Sequence, residues 1–421
     1  MGGMASPVTG ATTAEFASGP TPGTAAGGRR RVAFVNRALL RSWRSGWTPV
    51  PVIEPDALVA AARASTGLHD LGDPAVWRER LDVLCRSLIE EAGLSPLGRT
   101  MAYGQLAAAL RDRLRVHALW ARHPEIADVP FPEPVLVLGQ MRSGTTRMQR
   151  LLACDPRLRW TRFYESWCPV RATGWPVDDR RMRAGAMLAA MRALNPEFTV
   201  IHPSSVGAPD EEIGLHALSF HGSVFEAQWR VPSFARYCEG ADLSGVYREF
   251  RLLLQTLAWQ RRDRAARPWV LKVPQLTQDL GAVLRVFPDA RVVRVEREPV
   301  AVVASAASLV RNQMRVQCDA VDDRWIGREW LRKVALRRER VETALAARPE
   351  VPQVIVAFHA MNRDWRGEIG RVYGMLGLEL DTALEARMAA YLARASRGLE
   401  RHRYSVEEFG LSAGEIRAAL A

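Results

Sequence analysis

Residues Val135 to Leu152, Val-Leu-Val-Leu-Gly-Gln-Met-Arg-Ser-Gly-Thr-Thr-Arg-Met-Gln-Arg-Leu-Leu, constrain the fold of this chain more than any other stretch. Val135 to Leu138 form an apolar run that reads as a buried strand. Gly139 and Gly144 then bracket a tight turn, and Met148, Leu151 and Leu152 recur at helical spacing. A strand, a glycine loop and a helix in that order bring backbone N–H groups and the positive end of a helix dipole to one point, which makes a site for an anion. The frame Gly139-x4-Gly144-Thr145-Thr146 matches a Walker A loop except at Thr145, where the lysine that reaches the terminal phosphates of ATP is expected. Positive charge sits instead inside the loop, on Arg142, whose planar fork suits a tetrahedral oxyanion. Such a loop can hold an anhydride whose transferred group carries less charge than a γ-phosphoryl, without a metal.

The rest of the chain alternates in a way that places this loop. Residues 1–28 are rich in Gly, Ala, Thr, Pro and Ser and read as a disordered tail. Residues 29–130 show helical periodicity, with Asp73 as a cap before Pro74 and an apolar face of Val76, Leu81, Val83 and Leu84, and so predict an α-helical N-terminal subdomain. From residue 131 to 421 strands and helices alternate: strands over Val135–Leu138, Leu158–Phe163, Trp269–Leu271, Ala290–Glu296 and Gln353–Phe358, and helices that include Met182–Leu194, Tyr247–Gln260, Trp365–Leu376 and Leu384–Leu392. This pattern predicts an α/β domain, a P-loop-type parallel sheet flanked by helices.

Charge and cysteine usage narrow the function classes. The net charge of +12 is carried almost wholly by arginine, since Lys272 and Lys333 are the only lysines. A positive field draws in a polyanionic small molecule. Nucleic acid is disfavoured, because no basic block is interleaved with aromatics and no zinc spacing or recognition helix is visible. The five cysteines are scattered and include no Cys-x-x-Cys pair, as in a cytoplasmic protein with reduced thiols. No apolar run reaches the roughly 18 residues of a membrane span. Residues Gly2 to Ser6 fit a bare myristoylation pattern, and Arg29-Arg30-Arg31 lacks the apolar region of a twin-arginine signal.

Several polar residues stand at strand ends, where catalytic groups of open α/β sheets gather. Glu165 follows the second expected strand and is placed to face the loop. Lys272 ends the apolar strand Trp269–Leu271 and offers a compact charge to a leaving oxygen. Arg297 ends another strand, with Ser305 in the helix that follows. The trio Asp210-Glu211-Glu212 opens a helix, where acidic residues stabilise the dipole.

These stretches resemble the sulfotransferases that use 3′-phosphoadenosine-5′-phosphosulfate (PAPS), and in particular their bacterial branch. The likeness runs from about Leu58 to the C-terminus. Gly139-Gln-Met-Arg-Ser-Gly-Thr-Thr146 resembles the family's 5′-phosphosulfate loop, with Met141 in place of the usual proline. Arg297-Glu-Pro followed by Ser305 resembles the element that holds the 3′-phosphate, with Glu298 in place of Asp or Asn. Leu271-Lys-Val-Pro274 resembles the strand whose lysine contacts the phosphosulfate bridge. The resemblance implies PAPS as co-substrate and Arg142, Ser143, Gly144, Thr145, Thr146, Arg297 and Ser305 as its binding residues, with Arg142 and Lys272 also serving the chemistry. It implies in-line sulfuryl transfer to a hydroxyl or amine of a small-molecule acceptor, and no metal. Pro274 occupies the place of the histidine base of cytosolic eukaryotic members, so the base comes from elsewhere. Glu165 is the nearest match to the glutamate of tyrosyl-protein sulfotransferases, with His202, Glu211 and Glu212 as alternatives. The competing readings are a P-loop nucleotide-dependent kinase and a non-catalytic binding relative; the sequence does not name the acceptor or the oligomeric state.

Overall fold

The computed structural model of the chain describes residues 16–17, 22–172, 177–201, 203–263, 265–395, 401–402 and 405–420. At its centre is a four-stranded, wholly parallel sheet of β1 (Val135–Leu138), β2 (Val270–Leu271), β3 (Arg291–Glu296) and β4 (Gln353–Ala357), in the order β2-β1-β3-β4. Val135 pairs with Val270 on one side and Arg291 on the other, and Val292 pairs with Gln353. All four residues of β1 are buried, as a central parallel strand covered by helices on both faces requires. The parallel register brings the carboxyl ends of β1, β2 and β3 side by side.

One expected strand takes a different form. Leu158–Phe163 is not a sheet member; Arg159 makes an isolated parallel bridge to Trp269, and Arg162 an antiparallel one to Pro209. The segment leaves β2 after one bridge because Phe163 enters a short helix, so its pairing passes to the backbone of Val206 to Asp210.

Before the sheet lie four helices, α1 (Pro22–Arg44), α2 (Pro55–Thr66), α3 (Pro74–Glu90) and α4 (Pro96–Arg122). Their ends follow from local chemistry. The Glu54 carboxylate accepts from the N–H groups of Asp56 and Ala57, Asp73 from Ala75, and Ser95 from Gly98, each before a proline at the first helical position. Gly67, in the left-handed region at φ +67°, ends α2. The helix α1 begins inside the stretch that composition assigns to the tail, while residues 1–15 lie outside the described ones.

The N-terminal helices share their core with the rest of the chain. Leu81, Leu84, Leu106 and Leu110 pack in one cluster with Phe225, Trp229, Phe234, Val310 and Trp330. Each such buried side chain stabilises the fold by about 1.5–3 kcal/mol. A charged contact reinforces the joint: buried Arg113 pairs with Glu249 at 2.6 Å and donates from Nε to the Leu71 carbonyl at 2.6 Å. At another joint, Gln317 O ends the helix Pro299–Gln317 and accepts from Ser95 N at 2.9 Å. That contact fixes α4 against the helix that carries Ser305. A Cβ on Gly98 would lie 1.8 Å from the same carbonyl. Gly98→Ala should therefore lower stability by about 2–3 kcal/mol, the scale of an overpacked core. The check is urea unfolding, and a midpoint equal to that of the native protein would show that the joint is loose.

Candidate active site

The loop between β1 and the helix α5 (Thr145–Leu152) is held open by its neighbours. Gly144 adopts φ +102°, and a Cβ there would lie 2.6 Å from the Phe358 ring, so no larger residue closes this turn. Arg142 itself sits at φ +71°, an uncommon conformation for a residue with a Cβ. What holds it is visible: Arg297 Nη1 donates to Arg142 O at 2.6 Å, and Arg142 Nε donates to Ser305 Oγ at 3.2 Å. The Arg297 guanidinium lies over the Phe358 ring, 4.6 Å from its centroid. Arg142, Arg297 and Ser305 thus form one connected group, although 155 and 163 residues of sequence separate the bonded pairs.

The other end of the loop is anchored through β2. Lys272 Nζ donates to Thr146 Oγ1 at 2.9 Å and is ion-paired with Glu211. Thr277, in the short helix Pro274–Gln278 after Lys272, accepts from Gly139 N at 3.0 Å and donates to Gly139 O at 3.1 Å. Ser143 and Thr145 are buried, and Ser143 Oγ has no hydrogen-bond partner among the described residues. The structure therefore assembles Arg142 to Thr146, Lys272, Arg297 and Ser305 at the carboxyl edge of the sheet.

The acidic trio takes a role that differs from helix capping. The helix begins at Ile213, and Glu212 makes no side-chain cap. Glu211 turns to Lys272 Nζ, and Glu212 Oε2 accepts from the backbone N–H of Lys272 at 2.8 Å. Burial pushes the Glu212 carboxyl up to about 8. Gln149 of α5 donates to Asp210 O at 3.0 Å and ties the trio to the helix after the loop.

Glu165, expected to face the loop, is engaged by arginines: its bonds run to Arg162 N at 2.9 Å, Arg162 Nη1 at 3.1 Å and Arg261 Nε at 2.8 Å, with a second ion pair from Arg261 Nη2. It is 1% exposed. Burial alone would raise its pKa, but Arg261 and Arg162 hold the carboxyl below its usual range. The physical reason is Arg261, at the end of a helix 96 residues further along the chain, whose Nε and Nη2 meet both oxygens of the carboxylate. His202 lies outside the described residues. Phe220, Phe225 and Trp229, whose spacing suits a pocket wall or a core equally, are fully buried core, and Trp175 lies outside the described residues. A cavity of about 780 Å³ does open beside Glu165, lined by Arg159, Arg162, Arg180, Arg261, Arg267 and Arg387 among others. It lies at the level of Arg159 and Trp269, the amino end of β2, whereas Lys272 stands just past the carboxyl end.

Sequence reasoning missed Thr277, Phe358 and the pairing of Glu211 with Lys272. Thr277 had a local signal, five residues after the lysine; the other two depend on segments far apart in the chain.

A model of the sulfotransferase family matches residues 134–382, from the strand before the loop to the start of the third helix after β4. The chain belongs to the sulfotransferase family. Two curated relatives, the omega-hydroxy-beta-dihydromenaquinone-9 sulfotransferases Stf3 of Mycobacterium bovis and Mycobacterium tuberculosis, are each 25% identical over 62% of this chain and 66% of theirs. This chain therefore spans just under two thirds of the length of those relatives. Among solved structures, this sulfotransferase-family chain is similar to the sulfotransferase STF1 of M. tuberculosis H37Rv, at 27% identity and TM-score 0.77 over 88% of this chain and 99% of that one. The sulfotransferase STF9 of Mycobacterium avium follows at 26% identity and TM-score 0.77, over 87% and 95%.

The raised carboxyl of Glu212 has a sign that can be checked. In the unfolded chain it ionises near 4.5 and in the folded protein near 8, so between these values the folded state binds the extra proton. Stability therefore falls as pH rises through that window. Glu212→Gln keeps an oxygen acceptor for Lys272 N and removes the proton. Urea midpoints at pH 5 and pH 8, about the edges of the window, should differ more in the native protein than in the variant. Equal differences would place the titration elsewhere.

Proposed function

We propose that this protein transfers the sulfuryl group of PAPS to a hydroxyl or amine of a small-molecule acceptor. The observation that carries the reading is the reach of Lys272 Nζ to Thr146 across two strands, beside the paired Glu211. It returns to the loop the positive charge that Thr145 removes from the Walker frame, and it does so from the side.

The residues present suit such a donor. The loop N–H groups, Thr145 and Thr146 would hold the 5′-phosphosulfate, and the buried Ser143 Oγ, without a hydrogen-bond partner among the described residues, is a further hydroxyl within the loop for it. Arg142, Ser305 and Arg297 would hold the 3′-phosphate, a group that ATP does not have. Catalysis is then positioning and charge. An acceptor oxygen or nitrogen attacks sulfur as the bond from sulfur to the bridging oxygen breaks, and that oxygen leaves on the 5′-phosphate. Lys272 hydrogen-bonds the departing oxygen; its move from Glu211 to the donor frees that carboxylate.

We assign the acceptor's proton to Glu211 rather than Glu165, because Glu211 stands on the reacting lysine while Glu165 is saturated by two arginines. The names of the mycobacterial relatives favour an acceptor hydroxyl on an apolar, quinone-derived molecule. The reading also places the enzyme in the cytoplasm, supported by five unpaired thiols. No helix among the described residues is long and apolar enough to cross a membrane.

Two measurements test the proposal. Calorimetry with adenosine 3′,5′-bisphosphate, the desulfated donor, should show binding that Arg297→Ala weakens by about tenfold or more, or 1.4 kcal/mol for each tenfold. Transfer of labelled sulfate to a hydroxylated acceptor set should fall by about 100-fold in Glu211→Gln, within the range for loss of a general base, with nucleotide binding retained. In Glu165→Gln the loss should appear as lower stability instead. Retained turnover in Glu211→Gln together with loss in a folded Glu165→Gln would reverse the assignment, and neither binding nor transfer by the native protein would sink the function.

A further inference from the structure

We propose that the face formed by α1 and the segment after it docks on an anionic lipid membrane surface. From Phe16 to Ile53 the chain carries Arg29, Arg30, Arg31, Arg37, Arg41 and Arg44 and not one acidic residue; the nearest carboxylates are Glu15 and Glu54. Arg30, Phe34, Arg37 and Arg41 fall on one side of α1, and all four are exposed. Phe34 is 66% exposed and Trp47, at the turn that follows α1, is 86% exposed. Leu40, Val50 and Val52 are exposed as well, so half of the ten exposed large hydrophobics among the described residues lie within this one stretch. Single exposed apolar residues need no explanation, but this concentration does.

The arginines differ from those elsewhere in the fold. Arg113, Arg159 and Arg332 are matched by Glu249, Asp263 and Glu239. Among the described residues, none of Arg29, Arg30, Arg37, Arg41 and Arg44 has a carboxylate within ion-pair distance. The opposite side of α1 is fixed in place. Asn36 Oδ1 accepts from Leu97 N at 2.7 Å, and the helix packs on α4 and on a helix over Arg180–Leu194 that exposes Met182. The face is therefore a fixed platform and not a loose tail.

Charge complementarity selects the occupant. A second copy would set arginine against arginine at a net charge of +12. Nucleic acid would match the arginines but leave the valines and Leu40 in water. A bilayer with anionic headgroups satisfies both sets: phosphates meet the arginines, and Trp47 and Phe34 enter the headgroup boundary. This inference does not rest on the transfer reaction. It would, however, place the protein where an acceptor with a lipid tail resides.

The test is co-sedimentation of the full chain with phosphatidylcholine vesicles, with and without phosphatidylglycerol, at low and high salt. The native protein should pellet only with the anionic vesicles and be released by salt. The double variants Arg37→Glu with Arg41→Glu and Phe34→Ala with Trp47→Ala should each bind at least about tenfold more weakly, with thermal midpoints unchanged because these side chains are exposed. Nucleotide binding, measured alongside, should be unaltered. Failure of the native protein to pellet, or variants that pellet equally, overturns the proposal. So does self-association of the native protein that Phe34→Ala with Trp47→Ala abolishes, which would give the face to a second copy.

Discussion

Lys272 Nζ and Thr146 Oγ1 lie 2.9 Å apart, and much of the site's arrangement depends on that contact. A Walker-type loop ordinarily carries its lysine within itself, on the first turn of the helix. Here the first turn begins with Thr145, and the cation comes from the neighbouring strand. That borrowing is possible only because β1 and β2 are parallel and in register at Leu136 and Leu271, which brings both carboxyl ends to the same edge. The cation also needs an anion to accompany it into the interior, and Glu211 supplies one. A buried lysine without a partner would lose its charge or destabilise the fold by several kcal/mol.

The same accounting separates the carboxylates. Glu165, Glu211 and Glu212 lie close in the fold, joined through the pairing of Arg162 with Pro209, yet their environments pull them apart. Glu165 is held ionised by Arg261 and Arg162, Glu212 is driven toward its neutral form by burial, and Glu211 faces the one lysine that meets the loop. A carboxylate saturated by two guanidiniums is a structural tie, whereas Glu211 has its ion pair with Lys272. Polar chemistry here follows from the partners each group has, more than from its distance along the chain from the loop.

The most legible parts of the sequence were those whose cause is local. The β1 strand, the loop, the caps of α2 and α3, and the helix Trp365–Leu376 with its terminal Gly377 could all be read from residues within a few positions of one another. Leu158–Phe163 was not legible, because its apolar spacing suits a strand while its only pairings are single bridges to two distant segments. Nor was the fate of Phe225 and Trp229. Their spacing suits a pocket wall as well as a core, and only their packing against α3 and α4 residues decides for the core. The start of α1 was hidden by glycines and alanines that composition assigns to a tail.

By itself the sequence determined the strand, glycine loop and helix around Gly139 to Thr146, the absence of a Walker lysine, and the positions of Arg142, Lys272, Arg297 and Ser305 in the loop, at strand ends and in the helix that follows, because strand-end position and residue chemistry are written locally. Tertiary structure alone decided which carboxylate meets the lysine and which is consumed by arginines. Those outcomes turn on Arg261, Asp210 and Thr277, which come near the site only when the parallel sheet closes. Hydrogen bonds and ion pairs act over about 3 Å, and no pattern along the chain records which distant groups will come within that range.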